Sequence, residues 1–591
     1  MRFLSLLALA LLVSCQYSTT EPGGNTATSD NSISSKSASE FLTPFEESNG
    51  NQTPTYPQVI AWWETLASEY STISMQEMGR TDSGEPLHLV TYNDGGSTDF
   101  DALHADDYLI ALVNNGIHPG EPDGIDASML LLRDLATGAL KLDNKISISV
   151  IPVYNIGGSL NRNSTTRTNQ NGPEAYGFRG NARNYDLNRD FIKADTKNAR
   201  SFAEIFHNVN PDLFVDNHVS NGADYQYVLT HLFTQHNKLG GELGNYLSTK
   251  LTPGVVANLA AQDIPITPYV NVWGGGPQDG WPQFMDSPRY SSGYTALWNT
   301  IGLTVETHML KPYSDRVQGT YDLMNALFTE AAKDRTSIKT WRRAGWSNPD
   351  YTLNWKLDRD NPSTFDFLGY EMTTPKSEIT GKNRIFYDQK KPMTFPVAFY
   401  DSYLPADTIS IPSHYIIPQG QWEVIDRMRE NKIAFDYLPA DTTLTVTSTR
   451  IEDYNSRTSP YEGHYLHYNV TTSQEPVAME FKQGDVRIST NQPGVRYLLE
   501  TLEPTGPDSF FAWNYFDTIL QQKEGYSAYV FEDEAAALLK SDDAFAKAFQ
   551  EWKKNNPEDA KTDRGQLNWI HRHSPRYEAA HMQYPIYRIE R

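Results

Sequence analysis

The sequence has almost no cysteine: its 591 residues include one, at position 15. Internal disulfides are therefore excluded, and so are cysteine-rich zinc sites. A transition metal would have to be held by His, Asp or Glu. Basic residues are scarce beside acidic ones, 50 against 73, and the formal charge is −23. That balance speaks against nucleic acid or an anionic lipid surface as a partner of the folded part. Long hydrophobic runs are missing too. The one extended apolar stretch, Phe3 to Val13, is too short to cross a bilayer, which takes about 20 residues. With 39% hydrophobic and 12% aromatic residues, the chain is neither disordered nor fibrous. Its length suggests two to four domains.

The N-terminus reads as an address and a tether. Arg2 supplies a positive start, and Phe3 to Val13 suits a secretory apolar segment. The run ends in Leu12-Val13-Ser14-Cys15, which resembles the signal of bacterial lipoproteins, where cleavage precedes a cysteine that takes the lipid. Residues 1–15 are then the signal, Cys15 the lipidation site, and the cell envelope the location, periplasmic or surface-exposed. The only expected membrane contact is this anchor. The alternative is an ordinary signal peptide with a stray cysteine. Residues 16–40 are rich in Ser and Thr and have no apolar face. They read as a flexible spacer with a reach on the order of 25–30 Å.

The body divides at about residue 345. Over residues 41–345, apolar strand-like runs alternate with helical patterns. Tyr108–Val113 and the stretch from Ile146 to Val153 read as buried strands, with a helix over Gly124–Leu135 between them. A helix over Ala199–Phe206 precedes the short strand Leu213–Val215. Ile301–Val305 is another strand, and 319–343 reads as one long helix. Such interleaving predicts an α/β fold with a mostly parallel or mixed sheet and helices on both faces. Over residues 346–591 the texture becomes short alternating runs, Thr443–Thr447, His464–Val470 and Ala478–Phe481, broken by Pro, Gly, Asn and Asp. This predicts a β-rich second domain with helices near Gln421–Glu430 and Ala535–Lys554.

The chemistry lies after the strands. His118-Pro119-Gly120-Glu121 follows the first strand, and the Pro-Gly turn lets both side chains converge. An imidazole and a carboxylate are good zinc ligands, though His-x-x-Glu alone is common. Asp216-Asn217-His218 puts a second histidine at a strand end, where open α/β sheets bind their ligands. Glu306 ends the strand Ile301–Val305, where it is either a salt-bridged edge residue or, beside a metal, a general base. The segment Arg179 to Phe191 holds three arginines in an acidic chain, either surface ion pairs or a clamp for a carboxylate.

In this order, His118-x-x-Glu121, Asp186-x-Asn188-Arg189, His218 and Glu306 resemble the zinc carboxypeptidase (carboxypeptidase A-like) family. The resemblance covers roughly residues 55–335. It implies that His118, Glu121 and His218 hold one zinc ion and leave a position open for water. It implies that Glu306 takes a proton from that water and passes it to the leaving amine. Phe178-Arg179-Gly180-Asn181 resembles the segment whose arginine stabilises the oxyanion, with Arg183 as the competing candidate. Asn188 and Arg189 resemble the pair that grips the substrate's terminal carboxylate, and Asp186 would orient His118. The family's mobile tyrosine falls at Tyr290 or Tyr294. Asn155-Ile156-Gly157-Gly158 departs from the family's Asn-Pro-Asp-Gly, and the side-chain pocket falls in the poorly matched stretch 237–295. The expected substrate is a peptide with a free terminal carboxylate. A cell-wall peptide or a non-catalytic surface binding role are the alternatives.

The remaining histidines invite plainer readings. His464 with His467, and His571 with His573, could mimic metal pairs but have no matching third ligand; on a strand the second pair would share one face. His207 reads as helix packing. Trp273-Gly274-Gly275-Gly276-Pro277 lacks the following Lys and helix of a phosphate loop and reads as a plain loop.

Overall fold

The computed structural model describes residues 37–591. The signal, Cys15 and nearly all of the 16–40 tether lie outside the described residues.

The first half contains β1 (Ile73–Arg80), β2 (Pro86–Tyr92), β3 (Leu109–Asn114), β4 (Ile146–Ile151), β5 (Leu213–Ser220), β6 (Leu229–Phe233), β7 (Thr267–Pro268), β8 (Trp281–Pro282) and β9 (Ile301–His308). All but β8 join one sheet in the order β1-β2-β4-β3-β5-β9-β6-β7. The centre, from β4 to β9, is parallel. The flanks are mixed: β1 and β2 pair antiparallel, and β6 runs against β9. Every residue of β3 and β4 is buried. Unbroken burial is what parallel strands need when helices cover both faces. On one face Asn217 of β5 meets Met324 of the helix Tyr313–Ala332. On the other, Phe214 packs edge-on against Phe202 of the helix Lys197–Val209, with centroids 5.8 Å apart. The helix Asp123–Thr137 presses so closely on β5 that a Cβ on Gly124 would sit 2.3 Å from Asn217 Cβ.

Three boundaries differ from expectation. Strands β5 and β9 run on through His218 and Glu306, so these residues lie two positions inside the strand ends. Their polar side chains face the cavity described below, which hides the continuation from an apolar-run reading. The single helix expected over 319–343 is two, Tyr313–Ala332 and Arg335–Ala344, because the chain leaves helical geometry at Asp334. The pair His571 and His573 sits at the end of a helix, Asp563–Arg572, and not on a strand. Its surroundings are the three-helix cluster formed with Ala528–Ser541 and Asp543–Asn555, where one helical stretch was expected.

The second half is β-rich. It contains β10 (Asp350–Leu357), β11 (Ser363–Thr373), β12 (Phe386–Tyr400), β13 (Tyr403–Ser410), β14 (His414–Ile417), β15 (Asp436–Tyr437), β16 (Thr442–Ser456), β17 (His467–Phe481), β18 (Val486–Ser489) and β19 (Tyr587–Ile589). Strands β16 and β17 form one long hairpin, paired from Thr442 with Phe481 to Ser456 with His467. The sequence shows only fragments of it, because much of the hairpin faces solvent while its backbone pairing continues.

The two halves share one hydrophobic core. Trp298 lies against Tyr497 with centroids 5.4 Å apart, and Tyr294 Oη donates to Asn431 Oδ1 at 2.6 Å. The short β8 pairs with β12, not with the central sheet.

Candidate functional site

Three side chains converge where β3 and β5 reach their C-terminal ends. After β3 the chain turns, and the Glu121 N–H donates to the His118 carbonyl at 2.8 Å, so that both side chains point to the same place. His218 reaches it from β5. One ligand atom from each of His118, Glu121 and His218 lies within 4.8 Å of the others.

Each imidazole is fixed from behind. His118 Nε2 donates to Asp186 Oδ1 at 2.9 Å, and His218 Nε2 donates to Asp216 Oδ2 at 3.0 Å. Because a carboxylate can only accept, these contacts assign the proton to Nε2 and leave Nδ1 as the inward lone pair. Both inward nitrogens face Glu121: His118 Nδ1 lies 3.3 Å from Oε1, and His218 Nδ1 3.2 Å from Oε2. Acceptor therefore meets acceptor at the centre. A proton relieves this at His218. Burial would push that ring down, but Asp216 and Glu121 hold it well above the ordinary histidine range. A divalent cation relieves it at both histidines at once. Two imidazoles and a carboxylate, each imidazole backed by a carboxylate, form a donor set suited to zinc.

The centre is charge-compensated. Burial alone would raise the Glu121 carboxyl, but the surrounding groups, Arg167 foremost, hold it well below the usual carboxylate range. Arg167 Nη1 donates to Glu121 Oε1 at 2.8 Å. Arg179 Nε and Nη2 donate to Asp186 Oδ2 at 3.0 and 2.8 Å, and its Nη1 lies 3.6 Å from Glu121 Oε1.

Glu306 is the register partner of His218 across the parallel pair β5 and β9. Burial lifts its carboxyl to about 7; His218, Arg167 and Arg179 pull against the rise, and Glu121 adds to it. A carboxyl poised near neutrality beside a candidate metal centre can exchange a proton with a bound group.

These residues share one cavity of about 410 Å³, which Asn188, Arg189, Tyr269 and Tyr290 also line. Asn188 sits on a short turn, Leu187–Arg189, capped by Asp186, whose Oδ1 accepts from the Asn188 N–H at 3.0 Å. The Arg189 guanidinium stacks 4.6 Å from the Tyr290 ring centroid and donates to the Asn188 carbonyl at 2.7 Å. Asn188 Oδ1 in turn accepts from the Ser291 N–H at 3.3 Å.

The alternatives left open by the sequence separate by position. Arg179 lines the cavity, whereas Arg183 reaches the Asp195 carbonyl and lies over the Tyr185 ring. Tyr290 lines the cavity, whereas Tyr294 is fully buried among Phe191, Phe206 and Trp298. His464 binds Asp195, His467 binds Ser456 and Asp517, and His207 packs on Trp298. Trp273, at the start of the glycine-rich loop, stands 63% exposed and lines the cavity.

Several residues of the site escape a sequence reading. Asp216 sits two positions before His218, and on a strand i and i+2 share a face, so its role was readable. Arg167, Tyr269 and Asp286 also line the cavity or touch Glu121, but they come from loops and a connecting segment with no pattern. Glu462 arrives from the second half. Its Oε2 accepts from the Asp186 N–H at 2.8 Å, across 276 residues of chain.

No family model matches the chain. It is similar to carboxypeptidase 2 of Trichophyton rubrum, at 23% identity over 443 residues, covering 67% of this chain and 72% of that protein. It is also similar to the probable carboxypeptidase 2 of Trichophyton verrucosum, at 33% identity over 109 residues, 18% of each chain. Among solved structures it is similar to carboxypeptidase A from Helicoverpa armigera, with a TM-score of 0.37, 14% identity, and coverage of 49% of this chain and 75% of that one. The metallo-carboxypeptidase from Burkholderia cenocepacia gives a TM-score of 0.35 and 14% identity, covering 47% and 69%.

Proposed function

We propose that the chain is a zinc metallocarboxypeptidase that removes the C-terminal residue of peptides. The observation that carries this reading is the convergence of His118, Glu121 and His218 beside Glu306 in one cavity. The similarity to fungal proteins named carboxypeptidase 2 supports it.

In this reading His118, Glu121 and His218 hold one zinc ion, with Asp186 and Asp216 fixing the two rings. Bound there, zinc would supply a Lewis acid that polarises water and the scissile carbonyl. Glu306 accepts the water proton at its carboxylate and returns it to the leaving amine. Its environment, which favours neither protonation state strongly near neutrality, suits that double duty. Arg179, held by Asp186 with Nη1 toward the centre, donates to the developing oxyanion. Asn188 and Arg189, on the same cavity wall, bind the terminal carboxylate, and the planar guanidinium stacked on Tyr290 is preset for a bidentate contact. We further propose an envelope location through a lipid on Cys15. This rests on the sequence alone, and detergent-phase partitioning of the native protein decides it.

The test is trimming of a diverse pool of free-carboxylate peptides, read by mass spectrometry, with and without a chelator. Chelator-sensitive loss of single C-terminal residues is expected. No trimming by zinc-loaded protein would remove the reading and favour the surface-binding alternative.

A further inference from the structure

Leu232, Asp286, Ser292 and Thr304 line the same cavity as Glu306, and the part they enclose is called the recess below. Its floor follows from strand register. Thr304 lies two residues before Glu306 on the same face of β9, and Leu232 of β6 pairs with Thr304. Two residues of strand span about 6.6 Å, which is about the length of a long amino-acid side chain. Ser292 and Asp286 line its walls.

Asp286 stands out among them. It is 1% exposed, yet it lines the cavity, and its Oδ2 has no hydrogen-bond partner. Its Oδ1 accepts a long contact, 3.3 Å, from the Gln235 N–H, and the Ser292 hydroxyl also pulls on the carboxyl. The nearby buried Lys238 does not pair with this carboxylate. Its ammonium donates to the Asp286 main-chain carbonyl at 3.0 Å and lies 4.0 Å from Glu500. Among the described residues, no Lys, Arg or His nitrogen forms an ion pair with the Asp286 carboxylate. Burial accordingly raises its carboxyl, and the Lys238 charge offsets part of the rise. A buried carboxylate without an ion-pair partner is costly unless a partner arrives, and Asp286 is among the residues that line the cavity.

We propose that this recess is a subsite for a cationic side chain and that Asp286 makes the enzyme select peptides ending in lysine, arginine or a diamino acid. The proposal rests on the carboxypeptidase reading and deepens it. The incoming ammonium or guanidinium would lie along Leu232 and Thr304 and end at Asp286 Oδ2, while Asn188 and Arg189 hold the neighbouring α-carboxylate. A protein-derived Lys or Arg and the diamino acid of a cell-wall peptide present the same chemistry.

The experiment uses the full chain, zinc-loaded, with peptides identical except for the last residue. Lys- and Arg-ended peptides are expected to exceed Leu-ended ones on the order of 100-fold in kcat/KM, the discrimination expected of a desolvated charge pair. D286N should lose that advantage, the Lys-to-Leu ratio of kcat/KM falling to about one, and a ratio that stays at about 100 overturns the role of Asp286. A second measurement needs no variant: free lysine should inhibit the wild type far better than norleucine, which has the same chain without the ammonium. Equal inhibition by the two, or equal trimming of Lys and Leu ends, overturns the subsite and leaves the carboxypeptidase reading intact. Absence of chelator-sensitive trimming for every peptide overturns both. A wall-peptide arm ending in a diamino acid separates the sources: faster release there supports the cationic subsite with a wall substrate, and faster release of Lys or Arg supports it with a protein substrate.

Discussion

The central sheet and the long hairpin of β16 and β17 serve the same site by opposite means. The sheet buries its middle strands completely and presents His218 and Glu306 near their ends, where the polar side chains meet the cavity. The hairpin is largely exposed along its length, and its value lies at the tip, residues 457–466. There Glu462 takes the Asp186 N–H and His464 contacts Asp195, so the tip grips both ends of the loop that orients His118 and carries Asn188 and Arg189. Further along the second half, Asp508 accepts from Arg289, next to the cavity residue Tyr290, at 2.8 Å. The core sheet thus supplies the proposed metal ligand His218 and the proposed base Glu306, and a distant segment sets the walls around them.

The largest test of this division falls on the sheet. Replacing Glu306 with Gln keeps the shape and removes the proposed base. We expect kcat to fall about 10²–10⁴-fold, the range for loss of general base catalysis, with zinc content unchanged. Full activity would detach the sheet from the chemistry. Next comes the loop between sheet and hairpin. Replacing Arg189 with Ala should raise KM for free-carboxylate peptides about 10–100-fold while leaving competition by peptide amides unaffected. Parallel losses for both would take end-group recognition away from Arg189.

The hairpin tip should show a smaller and different signature. In Glu462→Ala the Asp186 N–H loses its charged acceptor, and the His118 support loosens. A drop of about 10-fold in kcat with little change in KM is expected, at the low end of what outer partners of metal ligands cost. Glu462→Gln keeps an acceptor oxygen and should restore most of the rate. If Ala and Gln behave alike, the tip is only a cover.

This contrast also explains what the sequence could disclose. β3, β4 and the core of β9 announce themselves because burial on both faces demands continuous apolar runs. His118, Glu121, His218 and Glu306 were legible because each follows or closes such a run. The orienting pairs were half legible: Asp186 came with the family resemblance, and Asp216 was available from strand periodicity. Arg167, Asp286 and Glu462 were not, since each reaches the site through tertiary packing that leaves no local period. The hairpin was seen only in pieces, because its solvent-facing stretches need no apolar alternation to keep their backbone pairing.

The remaining expectation concerns stability rather than rate, and it separates the same two regions. The helix Asp123–Thr137, packed on the sheet, buries Asp126, whose Oδ2 accepts from Thr53 and Tyr313 at 2.6 and 2.5 Å. Burial, reinforced by Asp123, raises its carboxyl from 3.8 to about 7 against the pull of these hydrogen bonds and of Arg162. The hairpin's own carboxylates, Glu452, Asp453, Glu475 and Glu480, are exposed. Between about pH 4 and 7 the folded chain therefore keeps a proton on Asp126 that the unfolded chain has released. Its contribution is fully present below about 4 and declines as pH rises through 7. The difference in unfolding free energy between wild type and Asp126→Asn should therefore shift by at most about 4 kcal/mol across that window, always toward a relatively more stable variant at the higher pH. Denaturation at pH 4 and 7 measures it, and a pH-independent difference would mean that Asp126 stays ionised in the fold.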